Sequence, residues 1–115
     1  MTILTDCHLW SKPDLRPEDL HGAFDVVETF EDDSHFSRRL VRCRRCGQLY
    51  VKEFYEEIDW EGGNDPQYTT LVPVATPEEI AAVRATDHVG ILRFVPRLQC
   101  DFPKEAMVPT VYWVR

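Results

Sequence analysis

Two thiols separated by two residues, in Cys43-Arg44-Arg45-Cys46-Gly47, are the sequence feature that points most directly to chemistry. At that spacing both sulfurs can face one point while the backbone amides after the first cysteine donate to its sulfur. The glycine permits the positive φ that such a turn demands. In a reducing compartment a pair of this kind serves as a metal knuckle or redox couple rather than a structural disulfide. Structural zinc takes four ligands, and the chain holds four cysteines, with Cys7 and Cys100 as remote singletons. The expected zinc site is therefore Cys7, Cys43, Cys46 and Cys100, tying both ends of the chain to its middle. His8, beside Cys7, is an alternative ligand, and His35 lies just before an arginine-rich segment.

With Tyr50 on the outgoing strand, residues 38–55 resemble one half-site of a zinc ribbon, the rubredoxin-type zinc knuckle. The resemblance implies a strand–knuckle–strand hairpin that binds zinc. It covers a half-site only, since no second Cys-x-x-Cys occurs. The competing chemistry is that of a thiol oxidoreductase. A catalytic pair usually opens a helix, whose N-terminus lowers the first thiol's pKa. Here the strand-like Gln48-Leu49-Tyr50-Val51-Lys52 follows instead, which favours metal.

Charge is arranged in blocks. From Asp14 to Asp33 eight acids face one base, Arg16; then Arg38, Arg39, Arg42, Arg44 and Arg45 fall within eight residues. Glu53, Glu56, Glu57, Asp59, Glu61 and Asp65 flip the sign again. Blocks that alternate like this are expected to neutralise one another across neighbouring strands. The functional alternative is an arginine-rich tip that contacts phosphate, making the chain a nucleic-acid-binding ribbon. The net charge of −7 disfavours polyanions as a whole and suits a basic protein partner.

Other constellations are poor. Glu53, Glu56, Glu57 and Asp59 have no spacing that would set a pair of carboxylates around a substrate. Glu61-Gly62-Gly63-Asn64 precedes neither a lysine nor an expected helix, and no Gly-x-Ser-x-Gly or His-Glu-x-x-His occurs. The reading leans away from an enzyme. No apolar run approaches the ~18 residues that span a bilayer. Met1–Cys7 reaches Asp6 without a basic segment, so no secretory leader and a cytoplasmic address are expected.

The elements that must position these groups are short. At 115 residues the chain is the size of one domain, spanning 1–115, with enough length for one modest core. Strands are expected over 24–30, 36–43, 48–57, 68–74, 91–95 and 108–114, with loops at 59–67 and 99–104. Pro73 marks 68–74 as an edge strand. Thr76-Pro77-Glu78-Glu79 is a capping sequence that starts a helix over about 77–86, with Ile80 and Val83 turned inward. Pro17 opens a shorter helical turn that Gly22 ends. The fold class is α+β, a mainly antiparallel sheet with one principal helix and a knuckle between two strands.

The expected function is that of a non-catalytic, zinc-stabilised protein-binding module of bacterial type. Size and charge suit an immunity- or antitoxin-like protein, in which an acidic surface masks a nucleic-acid-degrading toxin, by analogy alone.

Overall fold

The computed structural model describes residues 4–63 and 65–115. Its centre is a six-stranded antiparallel meander in sequence order: β1 (Phe24–Asp32), β2 (Phe36–Cys43), β3 (Leu49–Glu56), β4 (Gln67–Val74), β5 (Arg97–Phe102) and β6 (Thr110–Val114). Three helices complete it: α1 (His8–Ser11), α2 (Pro17–Leu20) and α3 (Pro77–Arg84). The α+β class read from the sequence is the observed one.

The sheet is covered on both faces. Val41, Cys43, Tyr50, Leu71 and Leu98 line one face and bury Cys7 and Leu9 of the N-terminal segment. Leu40, Val51, Val72 and Val74 line the other and pack on Val83 of α3 and on Ile91. Central strands buried on both sides lose the clean apolar–polar alternation of half-exposed ones, which is why β2 and β3 alternate so imperfectly in the sequence.

Capping places α3 where the sequence reading put it. Thr76 Oγ1 accepts the Glu79 N–H at 3.2 Å, with Pro77 in the first turn. Val83 is buried and Ile80 packs beside it. The N-terminal layer is held from the far end of the chain. Trp113 Nε1 donates to the Leu9 carbonyl at 2.8 Å, and the Trp10 and Trp113 rings meet edge-on at 4.9 Å.

Three expectations are corrected. Residues 91–95 are not a strand: Asp87 Oδ1 accepts the Val89 and Gly90 N–H groups, and a 3-10 turn over Gly90–Arg93 follows. Residues 99–104 are not a loop, because β5 runs through Phe102 before Pro103 breaks the pattern. There the amide of buried Gln99 is satisfied by Thr70, which donates to it at 2.9 Å. Finally, β4 is a central strand, although its ladder to β5 ends at Leu71↔Leu98. Pro73 thus pairs on one side only, opposite Tyr50.

The charged blocks meet as neighbours. Asp25 faces Arg42 and Glu31 faces Arg38 across β1 and β2. Arg44 Nε lies 2.8 Å from Asp25, and Arg39 Nη2 lies 3.1 Å from Asp32.

Candidate metal centre

The knuckle forms where β2 ends. Gly47 adopts φ +83 and donates its N–H to the Cys43 carbonyl at 2.9 Å, while Cys43 N–H reaches the Gln48 carbonyl, also at 2.9 Å. The tight reversal turns the N–H groups of Arg45 and Cys46 onto Cys43 Sγ and that of Gln48 onto Cys46 Sγ. A side chain on a residue held at that φ would be strained, so glycine belongs there.

The N-terminal segment delivers the other donors. A 3-10 turn over Leu4–Asp6 closes with Cys7 N–H on the Leu4 carbonyl at 2.9 Å, and Cys7 then stands just ahead of α1. Fully buried Leu9 anchors the segment in the core, which fixes where Cys7 and His8 point. One ligand atom from each of Cys7, His8 and Cys43 lies within 4.8 Å of the other two. His8 Nδ1 is 3.8 Å from Cys43 Sγ. Cys46 stands nearby, its thiol interacting with those of Cys7 and Cys43. These residues are close enough together to hold a metal ion.

The electrostatics reflect crowded sulfur in a dry place. Burial pushes the Cys46 thiol up, to about 12; the Gln48 N–H opposes this and the Cys7 and Cys43 side chains reinforce it. Burial also raises the Cys43 thiol, but the Cys46 and Arg45 N–H groups and the Cys46 and Cys7 side chains outweigh it, and the result is lowered. His8 is lowered by burial and by the charges of Arg45 and Lys12, which favours the neutral imidazole that ligates metals.

Tyr50, which entered the sequence reading only as part of the ribbon resemblance, has a specific place in the site. It is fully buried on the Cys43 face of β3 and donates its hydroxyl proton to Cys7 Sγ at 3.1 Å. The same burial and the neighbouring sulfurs push its own phenol far upward. Its place comes from register: Tyr50 faces Val41, two residues before Cys43 on the same face. A donor of this kind orients its ligand, and losing one typically costs 10–100-fold in metal affinity. Tyr50→Phe is expected to weaken metal binding about tenfold with the fold intact. Competition with a chelating dye reads the affinity, and circular dichroism the fold.

Cys100, expected as the fourth ligand, stands elsewhere. It lies on β5 opposite Thr69 and Val111. Through Thr69 and Phe54 that row reaches Ser37 on β2, six residues from Cys43. Three strand spacings and six residues of rise keep Cys100 out of the cluster of Cys7, His8 and Cys43. Its neighbours there are Lys52, Thr69 and Leu71. His35 is also remote, with Nδ1 2.8 Å from Glu56 Oε1.

The arginine cluster does not form one cationic face. Arg38 is buried and gives Nε and Nη2 to Glu53 Oε1 at 3.0 and 2.9 Å. Its Nη1 donates to the carbonyls of Val83 and Arg84. Arg39 and Arg44 pair with acids of β1, while Arg42, Arg44 and Arg45 are exposed. The expectation that Arg38 contacts phosphate is therefore corrected: alternation turns it inward, where it ties β2 to α3.

No helix among the described residues is long and apolar enough to cross a membrane. Comparison with protein-family models, curated proteins and solved structures gives no match for this chain.

Proposed function

We propose that this chain is a non-catalytic, zinc-stabilised protein-binding module whose ion is held by Cys7, His8, Cys43 and Cys46. The observation that carries the reading is the convergence of the knuckle with two residues from the start of the chain. Three thiols and one imidazole are a common donor set for structural zinc. With Zn–S near 2.3 Å and Zn–N near 2.0 Å, a tetrahedron has an N···S edge of about 3.5 Å. The separation of His8 Nδ1 and Cys43 Sγ, 3.8 Å, is close to that edge. Four protein donors leave no open position for a substrate, which argues for a structural ion rather than a catalytic one.

The binding half of the reading rests on β1. This edge strand exposes Val26 and Val27 among Asp25, Glu28, Glu31 and Asp32. Two bulges in its pairing with β2 twist it away from flat edge-to-edge association. Apolar anchors in an acidic surround suit a basic protein, and an immunity-like inhibitor is the role we assign by charge and size.

Both halves are testable. Elemental mass spectrometry of the purified chain should find one zinc per molecule; a metal-free native protein would sink the zinc assignment. A photo-crosslinker at Val26 should capture a basic protein in cells, and Glu28→Lys with Glu31→Lys should abolish the adduct. An adduct indifferent to those reversals rules out the acidic-edge reading.

A further inference from the structure

On the sheet face opposite the cysteines is a cavity of about 180 Å³ under the turn that follows α3. That is room for about six waters at ~30 Å³ each. Tyr55 and Tyr68 wall it from adjacent strands, and His88 stacks on Tyr55 with ring centroids 4.4 Å apart. Leu92, itself exposed, stands at the rim. The polar groups at the floor are Glu53, Thr70 and Gln99.

What those groups offer a ligand is limited. Gln99 Oε1 accepts from Thr70, while its Nε2 donates to the Thr69 carbonyl and Asp101. Both Arg38 bonds to Glu53 end on Oε1. Among the described residues no hydrogen bond reaches Oε2, and that oxygen is not sealed from solvent, although the Glu53 side chain is only 3% exposed. An ammonium brought into the cavity can replace water at that oxygen with a charge-assisted bond. The surrounding charge is negative. Asp87 lies near Glu53, and Glu57 and Asp101 act on Tyr68. Of the nearby cationic groups, Arg38 is already committed to Glu53, Arg97 is bonded to Gln99 and the Phe94 carbonyl, and His88, whose charge also acts on Glu53, is stacked on Tyr55.

We propose that this cavity binds a small organic ammonium ion, a primary amine on a short apolar stem. The stem lies between the tyrosines and Leu92, and the ammonium donates to Glu53 Oε2. Aromatic faces attract a cation through their quadrupoles, and they do so more strongly where water is excluded. An anion would meet the carboxylates, and a neutral alcohol would use the acceptor without the charge. The same ammonium is borne by a free amine and by a lysine side chain.

The test is titration of the intact chain with n-pentylamine, n-pentanol and Nα-acetyl-lysine methylamide, followed by proton–nitrogen NMR correlation spectra. Pentylamine should shift the amides of Glu53, Tyr55, Tyr68 and Thr70 saturably, with Kd in the millimolar range or tighter. Pentanol should bind at least about tenfold more weakly, because a charged donor makes the stronger bond to a carboxylate. Glu53→Gln should lose the preference for the amine. Since that change also disturbs the Arg38 pair, Leu92→Lys provides a second arm, placing a cation at an exposed rim position. It should weaken pentylamine at least about tenfold more than it weakens pentanol, which loses only the packing against Leu92. Tighter binding of the lysine derivative than of pentylamine identifies a side chain as the source, and the reverse identifies a free amine. Equal affinity for pentanol and pentylamine, shifts scattered away from the cavity, or indifference to Leu92→Lys would each overturn the proposal. The cavity and the metal centre occupy opposite faces, so either assignment can fail alone.

Discussion

Cys46→Ser and His8→Ala are each expected to lose stoichiometric zinc and cooperative unfolding, whereas Cys100→Ser keeps both. Structural zinc contributes an apparent ~10 kcal/mol or more to folding, against a total stability of about 5–15 kcal/mol for an ordinary domain. On the proposed zinc site, losing the ion would remove most of what holds the structure together. The N-terminal segment should go first. Apart from the cysteine cluster, it is held by the burial of Leu9, the Trp113 bond to the Leu9 carbonyl and the contacts of Trp10. Cys100 is half-buried among Lys52, Thr69 and Leu71 on β5, so a serine there should cost no more than about 1 kcal/mol. Elemental analysis and thermal unfolding of the three variants check this. Zinc loss in Cys100→Ser, with retention in His8→Ala, would reinstate the four-cysteine site.

The contrast between those two residues shows where reading from sequence stopped. Cys43-Arg44-Arg45-Cys46-Gly47 declares itself, because the chemistry of a knuckle is local: two sulfurs, the intervening amides and one positive φ. The remaining proposed ligands are set by topology. Cys7 and Cys100 are equally remote from the knuckle in kind, and only the order of the meander puts β5 three strands away. His8 enters because Leu9 anchors the segment beside it.

Similar reasons divide the elements. The 36–43 strand and the capped helix were legible, since strand composition and Thr76-Pro77 act locally. The β5 strand was hidden by Gln99 and Asp101, whose polarity reads as loop until Thr70 is found across the ladder. Ile91–Val95 has strand composition, yet the Asp87 side chain captures the N–H groups of Val89 and Gly90 and bends the chain. Arg38 and Arg39 look interchangeable as letters. On a strand they point to opposite faces, one buried against Glu53 and α3 and the other half-buried beside Ser37 and Asp32.

Arg38→Leu should therefore be far more damaging than any other arginine substitution in the cluster. It leaves the Glu53 carboxylate buried without its partner, and breaking a buried pair in this way costs about 3–5 kcal/mol. It also strips a donor from the Val83 and Arg84 carbonyls at the end of α3. Burial raises the Glu53 carboxyl even with Arg38 beside it, and the Arg38 bonds and charge pull it down. Without them the folded-state value climbs further above that of the unfolded chain. A folded state that holds its proton more tightly is favoured as pH falls, so the loss in Arg38→Leu should be greatest at neutral pH. It should shrink as pH falls through the raised folded value toward the ordinary carboxylate range. Adding Glu53→Leu removes the unpaired charge and should flatten that dependence. Such replacement of both partners by apolar groups can approach the stability of the parent, less about 1–2 kcal/mol for the α3 carbonyls left without Arg38. Urea unfolding of the single and double variants across the acidic range measures all of this. If Arg38→Leu proves no worse than Arg42→Leu, the pair between β2 and β3 is not buried in solution.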